Sequence, residues 1–300
     1  MSSESPLLPP APRWSAAHLA GLLVANLTLA FGPFLVRLAD TGPVATGFWR
    51  LAIALPLLAL LALREGPAQR RLGWRTLAVV VGAGLFFALD IGSWHMGIEA
   101  TRLGNAALFG NAGSLILMVW GLIAAGRRPH ALKIGAIGAA MGGAALLHGS
   151  SLDLSRGNFH GDLLSILAGL FYACYILMLQ PARARLGQFT LLTCSTLAGV
   201  PVLLGIALLR NEAILPGDWT PLVILALSSQ VVGQGLLVYS LRHFPPLMIG
   251  LALLTQPAIS ATLGWVAFGE TLSAGDIAGM LLLAGALVLA RVADRPARPA

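Results

Sequence analysis

The stretch Leu51–Leu63, LAIALPLLALLAL, holds no charged side chain and no alternation of apolar with polar positions. Leu281–Ala290, LLLAGALVLA, reads the same way. A membrane-spanning barrel strand alternates its character over about 10 residues. A helix in lipid is apolar all round and satisfies its backbone groups internally. These runs therefore predict helices that cross a bilayer. Working outward, similar runs fill the chain with approximate bounds 16–38, 43–63, 74–97, 101–124, 130–148, 161–181, 187–209, 218–241, 246–268 and 273–293. Each is close to the ~20 residues that ~30 Å of hydrocarbon requires. Composition agrees: 57% of the 300 residues are hydrophobic, 10% are charged and the mean hydropathy is +0.82. A soluble domain carries roughly a quarter charged residues.

The expected fold is all-α and integral to the membrane, with ten transmembrane helices. Arg and Lys set its orientation. Fourteen of the 19 fall on the side that also holds both termini, and the other side holds Arg37, Arg50, Arg102, Arg156 and Arg210. By the positive-inside rule both termini are cytoplasmic. The formal charge of +7 then reflects topology and anionic headgroups, not nucleic acid. Met1–Pro12 lacks a basic segment and does not read as a cleaved signal peptide. Cys174 and Cys194 fall inside spans and read as small packing residues, with no disulfide or metal site expected. The loops leave no room for a soluble catalytic domain.

Shifting the chain by 145 residues lays the fourth span on the ninth, so that Asn111 meets Gln256 and Trp120 meets Trp265. A shift of 140 places Phe31 on Phe171. A five-span repeat must insert its second copy upside down, and inverted repeats give transporters two related end states around a midplane site. The expected organisation is a tail at 1–15, a first five-helix repeat at 16–148, a periplasmic linker at 149–160, a second repeat at 161–293 and a tail at 294–300. Gly138 with Gly142, and Gly275 with Gly279, form GxxxG pairs suited to close helix packing within a monomer or across a dimer. A monomer is favoured.

Several segments resemble the EamA branch of the drug/metabolite transporter superfamily, and the resemblance covers nearly the whole chain. They are Ala30-Phe31-Gly32-Pro33-Phe34, Gly47-Phe48-Trp49-Arg50-Leu51, Gly97-Ile98-Glu99-Ala100-Thr101 leading into Asn105-Ala106-Ala107, Gln256-Pro257-Ala258-Ile259, and Phe268-Gly269-Glu270-Thr271-Leu272. Ser93-Trp94-His95-Met96-Gly97-Ile98 is similar to the YddG-type aromatic amino-acid exporters. One departure is that the first half has Ala125-Gly126-Arg127 where the second has Gly269-Glu270. The resemblance implies two inverted five-helix repeats, with helices one, three, four, six, eight and nine around a central cavity and five and ten peripheral.

Polar residues inside spans mark the candidate site. Asp90 is read as the only acid well inside a span, about seven residues from the outer end of the third. An intramembrane acid is a functional hypothesis by default, with a paired or protonated structural role as the alternative. Trp94 shares its face at i+4. His95 is turned away; it is either a proton-coupling group beside Asp90 or an interfacial residue bonded to backbone. Asn26 lies in the first span, Asn111 with Ser114 in the fourth, Tyr172 and Tyr175 in the sixth, Gln230 and Gln234 in the eighth, and Gln256 with Ser260 in the ninth. Each amide is interhelical glue or cavity lining; together they favour a substrate-binding cavity. Pro33 and Pro257 interrupt the backbone ladder and read as hinges. Trp120 and Trp265 read as interfacial anchors.

Enzyme signals are sparse. His148 and Asp153 form an H-x4-D spacing in an outer loop, and there is no Walker lysine, CxxC or H-E-x-x-H. No cofactor and no metal is expected. The expected function is a secondary transporter of the bacterial-type inner membrane that exports amino acids, aromatic and other apolar ones favoured, by alternating access around a midplane cavity. Export of cationic drugs or other small metabolites is the alternative, and a membrane-embedded acyltransferase-like enzyme a distant one.

Overall fold

A computed structural model describes residues 15–70, 73–101, 103–124, 126, 131–149, 156–268 and 272–293, and the regular structure among them is helical. The His148–Asp153 pair, Glu270, and the side chains of Asn105 and Ser260 lie outside the described residues.

The elements, in chain order, are α1 (Ala16–Ala30), α2 (Gly32–Leu38), α3 (Pro43–Leu63), α4 (Pro67–Arg70), α5 (Trp74–Ala100), α6 (Leu103–Gly110), α7 (Ala112–Ala124), α8 (Ala131–Gly149), α9 (Phe159–Arg183) and α10 (Gln188–Leu209). There follow α11 (Thr220–Leu225), a π-helical segment (Ala226–Gly233), α12 (Gln234–Ser240), α13 (Pro246–Leu253), α14 (Gln256–Phe268) and α15 (Ala274–Ala293). Six helical runs are long and apolar enough to cross a membrane: Ala16–Leu38, Pro43–Leu63, Trp74–Ala100, Phe159–Arg183, Gln188–Leu209 and Thr220–Ser240. Shorter apolar helices cover Leu108–Ala124, Ala131–Leu147, Pro246–Ile259 and Ala274–Ala290.

Only 39–56% of the residues in each long span are buried by protein. The rest present apolar side chains outward, such as Leu60, Leu63, Val266 and Leu281. A water-soluble monomer does not expose apolar patches on this scale; a bilayer requires them. Trp120 and Trp265 are among the exposed aromatics.

Four spans are interrupted. α1 gives way to α2 at Phe31, and Pro33 falls in the first turn of α2, where a missing N–H costs nothing. α6 and α7 part at Asn111. α13 ends at Leu254–Thr255, just ahead of Gln256 and Pro257. The fourth interruption is the π segment, whose wider turns are frequent at functional sites.

Packing is carried by α5 against α9, α8 against α15, α3 against α10, α13 against α7, and α1 against α12 and the π segment. Small residues permit the closest approaches. Gly143 and Gly279 face each other so tightly that a Cβ on either would fall 2.7 Å from the other's carbonyl oxygen. On α15 the contact falls at Gly279, a member of the expected pair, whereas on α8 it falls at Gly143, one residue past the expected Gly142. Among the described residues Gly142 meets only Leu282, and Gly138 meets nothing within 4 Å. The α8–α15 contact is made within the monomer.

α3 and α10 cap each other. Glu65, just past the C-terminus of α3, accepts hydrogen bonds from the Phe189 and Thr190 amides (2.9 and 3.0 Å) and from the Thr190 hydroxyl (2.6 Å) at the N-terminus of α10. Glu212, just past the C-terminus of α10, accepts from the Ala45 amide at 2.9 Å in the first turn of α3. The backbone repeats the exchange: Gly187 N–H donates to Gln69 O, and Gly42 N–H to Ala213 O, both at 3.0 Å. Each carboxylate satisfies orphan N–H groups and complements a positive helix end.

Candidate functional site

The chemistry gathers where α3, α5, α9 and α12 meet, and it begins with a residue that the loop count misassigned. Arg50 is not a loop charge. It is the eighth residue of α3 and only 5% exposed, so it leaves the outer tally of basic residues. Its guanidinium carbon lies 5.9 Å from the centroid of the Phe87 ring, a cation–π distance. Phe87 in turn stacks on Tyr175 at 4.5 Å, and Tyr175 lies 5.9 Å from Tyr172. The signal for Arg50 was present: it is a basic residue well inside the 43–63 span. Arg183, also counted with the loops, is buried in the last turn of α9 and donates to Val238 O and Leu186 O.

Asp90 is half-buried, ten residues before the end of α5. At 1.5 Å per residue that is about 15 Å from the helix end, deeper than the seven residues expected. Asp90 follows Phe87 by three residues, one turn along the same face of α5, beside the ring that carries Arg50 and stacks on Tyr175. Gln234 Nε2 donates to the Tyr172 hydroxyl at 3.4 Å, and its buried carbonyl oxygen has no partner among the described residues. Asp90, Tyr172, Tyr175 and Gln234 are thus brought together, with Arg50 added.

A second polar contact joins α14 to α1. Gln256 Nε2 donates to Asn26 Oδ1 at 3.2 Å, and Asn26 donates to Leu22 O at 2.9 Å. Gln256 is half-buried and Asn26 fully buried. Gln230 turns elsewhere: fully buried, it donates to Thr196 Oγ1 of α10 at 3.2 Å. Trp94 packs its indole against Gly110, beside half-buried Asn111, since a Cβ at Gly110 would sit 3.1 Å from Trp94 Nε1. His95 is buried between α5 and α3, with Nδ1 2.8 Å from Pro43 O, and its Nε2 has no partner among the described residues. Its ring is committed to the helix interface.

Buried polar atoms are nearly always satisfied in folded proteins. Among the described residues the exceptions include Arg50 Nε, His95 Nε2, Gln230 Oε1 and Gln234 Oε1, all on α3, α5, the π segment or α12. No group of three or more metal-ligating side chains occurs among the described residues. Cys174 and Cys194 are free thiols.

An all-α membrane protein with interrupted spans and buried polar side chains between them has the anatomy of a membrane carrier. Comparison with known proteins makes the class definite. The chain belongs to the EamA-like transporter family, whose profile it matches twice, over residues 17–149 and 159–292. It is therefore a multi-pass inner-membrane transporter rather than an enzyme. It is 27% identical over 274 residues to the threonine/homoserine exporter RhtA of Escherichia coli (strain K12), covering 90% of this chain and 88% of that one. RhtA of Escherichia coli O157:H7 matches equally. One crystal structure superposes with a TM-score of 0.79 at 15% identity, covering 93% of this chain and 98% of the other; it speaks to the fold alone.

Proposed function

We propose that this protein is a secondary transporter that exports amino acids by alternating access, using ten spans in two inverted five-helix halves with both termini cytoplasmic. The observation that carries it is the run of contacts from Arg50 through Phe87, Tyr175 and Tyr172 to Gln234, with Asp90 one turn from Phe87, between helices assigned to both halves. The double family match agrees with two halves. So does the packing: α5 on α9 has its counterpart in α12 on α1, and α5 on α10 in α3 on the π segment, when each span is exchanged with the one five further on. Interruptions at Asn111 and just ahead of Gln256 also fall at related positions of the fourth and ninth spans.

In this mechanism charged and amide groups orient the substrate's ammonium and carboxylate, and the halves rock about the breaks near Pro33 and Pro257. Asn26, Asn111, Trp94 and Gln256 line the path, while Gln230 and His95 brace it. Small polar amino acids come first as cargo, because RhtA is a threonine/homoserine exporter and the site is polar. Aromatic cargo is the second reading, favoured by half-buried Tyr172 and Trp94. Counterflow in proteoliposomes with all twenty amino acids and a cationic dye separates these. Threonine or homoserine exchange is expected; exchange of the dye alone would defeat the proposal.

A further inference from the structure

We infer that Arg50 and Asp90 form a clamp for a zwitterion, with Arg50 receiving the α-carboxylate and Asp90 the α-ammonium of the transported amino acid. This rests on the amino-acid reading above and adds the group that recognises the carboxylate.

Arg50 has no structural employment that explains it. A guanidinium kept for stability would lie in contact with a carboxylate, commonly through two parallel hydrogen bonds. Among the described residues Arg50 makes no hydrogen bond or ion pair, and its Nε is buried without a partner. An arginine escaping the membrane would extend its head to the interface; Arg50 is eight residues inside α3 and 5% exposed. What holds it is the face of Phe87. Half-buried Asp90, on the neighbouring α5, likewise makes no hydrogen bond or ion pair among the described residues. Phe87, which carries the guanidinium on its face, lies one turn before Asp90 on α5 and stacks on Tyr175, so the basic and the acidic side chain share one neighbourhood with Tyr175 and Tyr172 beside them.

An amino acid backbone carries the opposite charges in complementary order. Its carboxylate matches the planar fork of a guanidinium, which a lysine ammonium does not reproduce. Its ammonium suits a carboxylate at the other end. A site built to pair both groups discriminates strongly against any ligand lacking one, because a buried charge is then left unmatched.

The test uses the purified full chain in liposomes, with counterflow of labelled threonine. Competitors are unlabelled threonine, threonine amide, 1-amino-2-propanol and 3-hydroxybutyrate, which lack in turn the carboxylate charge, the carboxylate and the ammonium. In the unaltered protein the three analogues should compete at least tenfold more weakly than threonine. Arg50→Lys should raise KM about tenfold, and Arg50→Gln should lower counterflow at least twentyfold. Because Arg50→Gln leaves Asp90 unmatched and risks misfolding, the double variant Arg50→Gln with Asp90→Asn removes both charges. It should elute as a single species and no longer distinguish threonine from its amide. Equal competition by threonine amide in the unaltered protein, or a double variant with KM and selectivity within twofold of it, overturns the clamp. If the unaltered protein moves no amino acid, the functional proposal falls and takes the clamp with it.

Discussion

Gln230 and Gln256 are the same side chain in two different situations. Gln230 is fully buried and spends its amide on Thr196, whereas Gln256 is half-buried and reaches Asn26 across the gap between α14 and α1. Interhelical hydrogen bonds in membranes contribute about 0.6 kcal/mol on average and up to about 2. Gln230→Met should therefore lower thermal stability in detergent by roughly that amount while leaving KM within twofold. Gln256→Met should instead raise KM severalfold with a small stability change. Melting curves paired with counterflow kinetics check both, and a KM effect at Gln230 larger than at Gln256 reverses the assignment. His95, pinned to Pro43 O, belongs with Gln230: His95→Gln should leave counterflow and its pH dependence as in the parent. Residue types and helical spacing made most of these positions visible beforehand, because a polar group in an apolar run stands out. Their partners were not visible. Spacing places Gln230 and Gln234 on one face, but which neighbouring helix each meets depends on packing. Arg50 is legible by the same rule as Asp90, a charged side chain inside an apolar run, and the positive-inside rule, which treats arginine as a loop marker, hides it.

The reciprocal capping of α3 and α10 lies beyond what local sequence reveals. Glu65 and Glu212 read as ordinary loop carboxylates until the two helices are laid antiparallel, and then each covers the other's start. Glu65 accepts from two amides and a hydroxyl, Glu212 from one amide and from Arg210 Nε at 2.9 Å. Loss of a cap costs about 0.5–2 kcal/mol, so Glu65→Ala should fall near the upper end of that range and Glu212→Ala near the middle. Gly187 supplies an internal control. A Cβ there would collide with the Glu65 carboxylate, so Gly187→Ala should destabilise by a similar amount. Combined with Glu65→Ala it should add little, since both remove one contact. Denaturation of the four proteins in detergent measures this coupling, and full additivity would show that the carboxylate is not what Gly187 accommodates. The interruptions were partly legible. Pro33 and Pro257 announced two of them, whereas the break at Asn111 and the π segment carry no proline and arise from packing of the finished bundle.

For the whole molecule, the two caps stand at opposite ends of one helix pair. α3 is 21 residues long, so Glu65 and Glu212 are separated by about 30 Å, the thickness of the hydrocarbon core. In the proposed mechanism α3 belongs to the first half and α10 to the second, so rocking the halves apart at either membrane face would part the ends of this pair at that face. On that mechanism each cap would resist opening on its own side. A loss of about 1.4 kcal/mol shifts a two-state balance tenfold, enough to read by chemical labelling. With Cys174 and Cys194 replaced by alanine and a single cysteine at Asn111, which is half-buried at the α6–α7 break, a membrane-impermeant thiol reagent reports access from each side. Glu65→Ala should increase labelling from the face where α3 ends, and Glu212→Ala from the opposite face, by severalfold each. The double variant should return the ratio of the two toward that of the parent, because the biases oppose. If both single variants raised labelling from the same face, or neither changed it, α3 and α10 would be moving as one rigid body, and the rocking axis would have to lie elsewhere in the bundle.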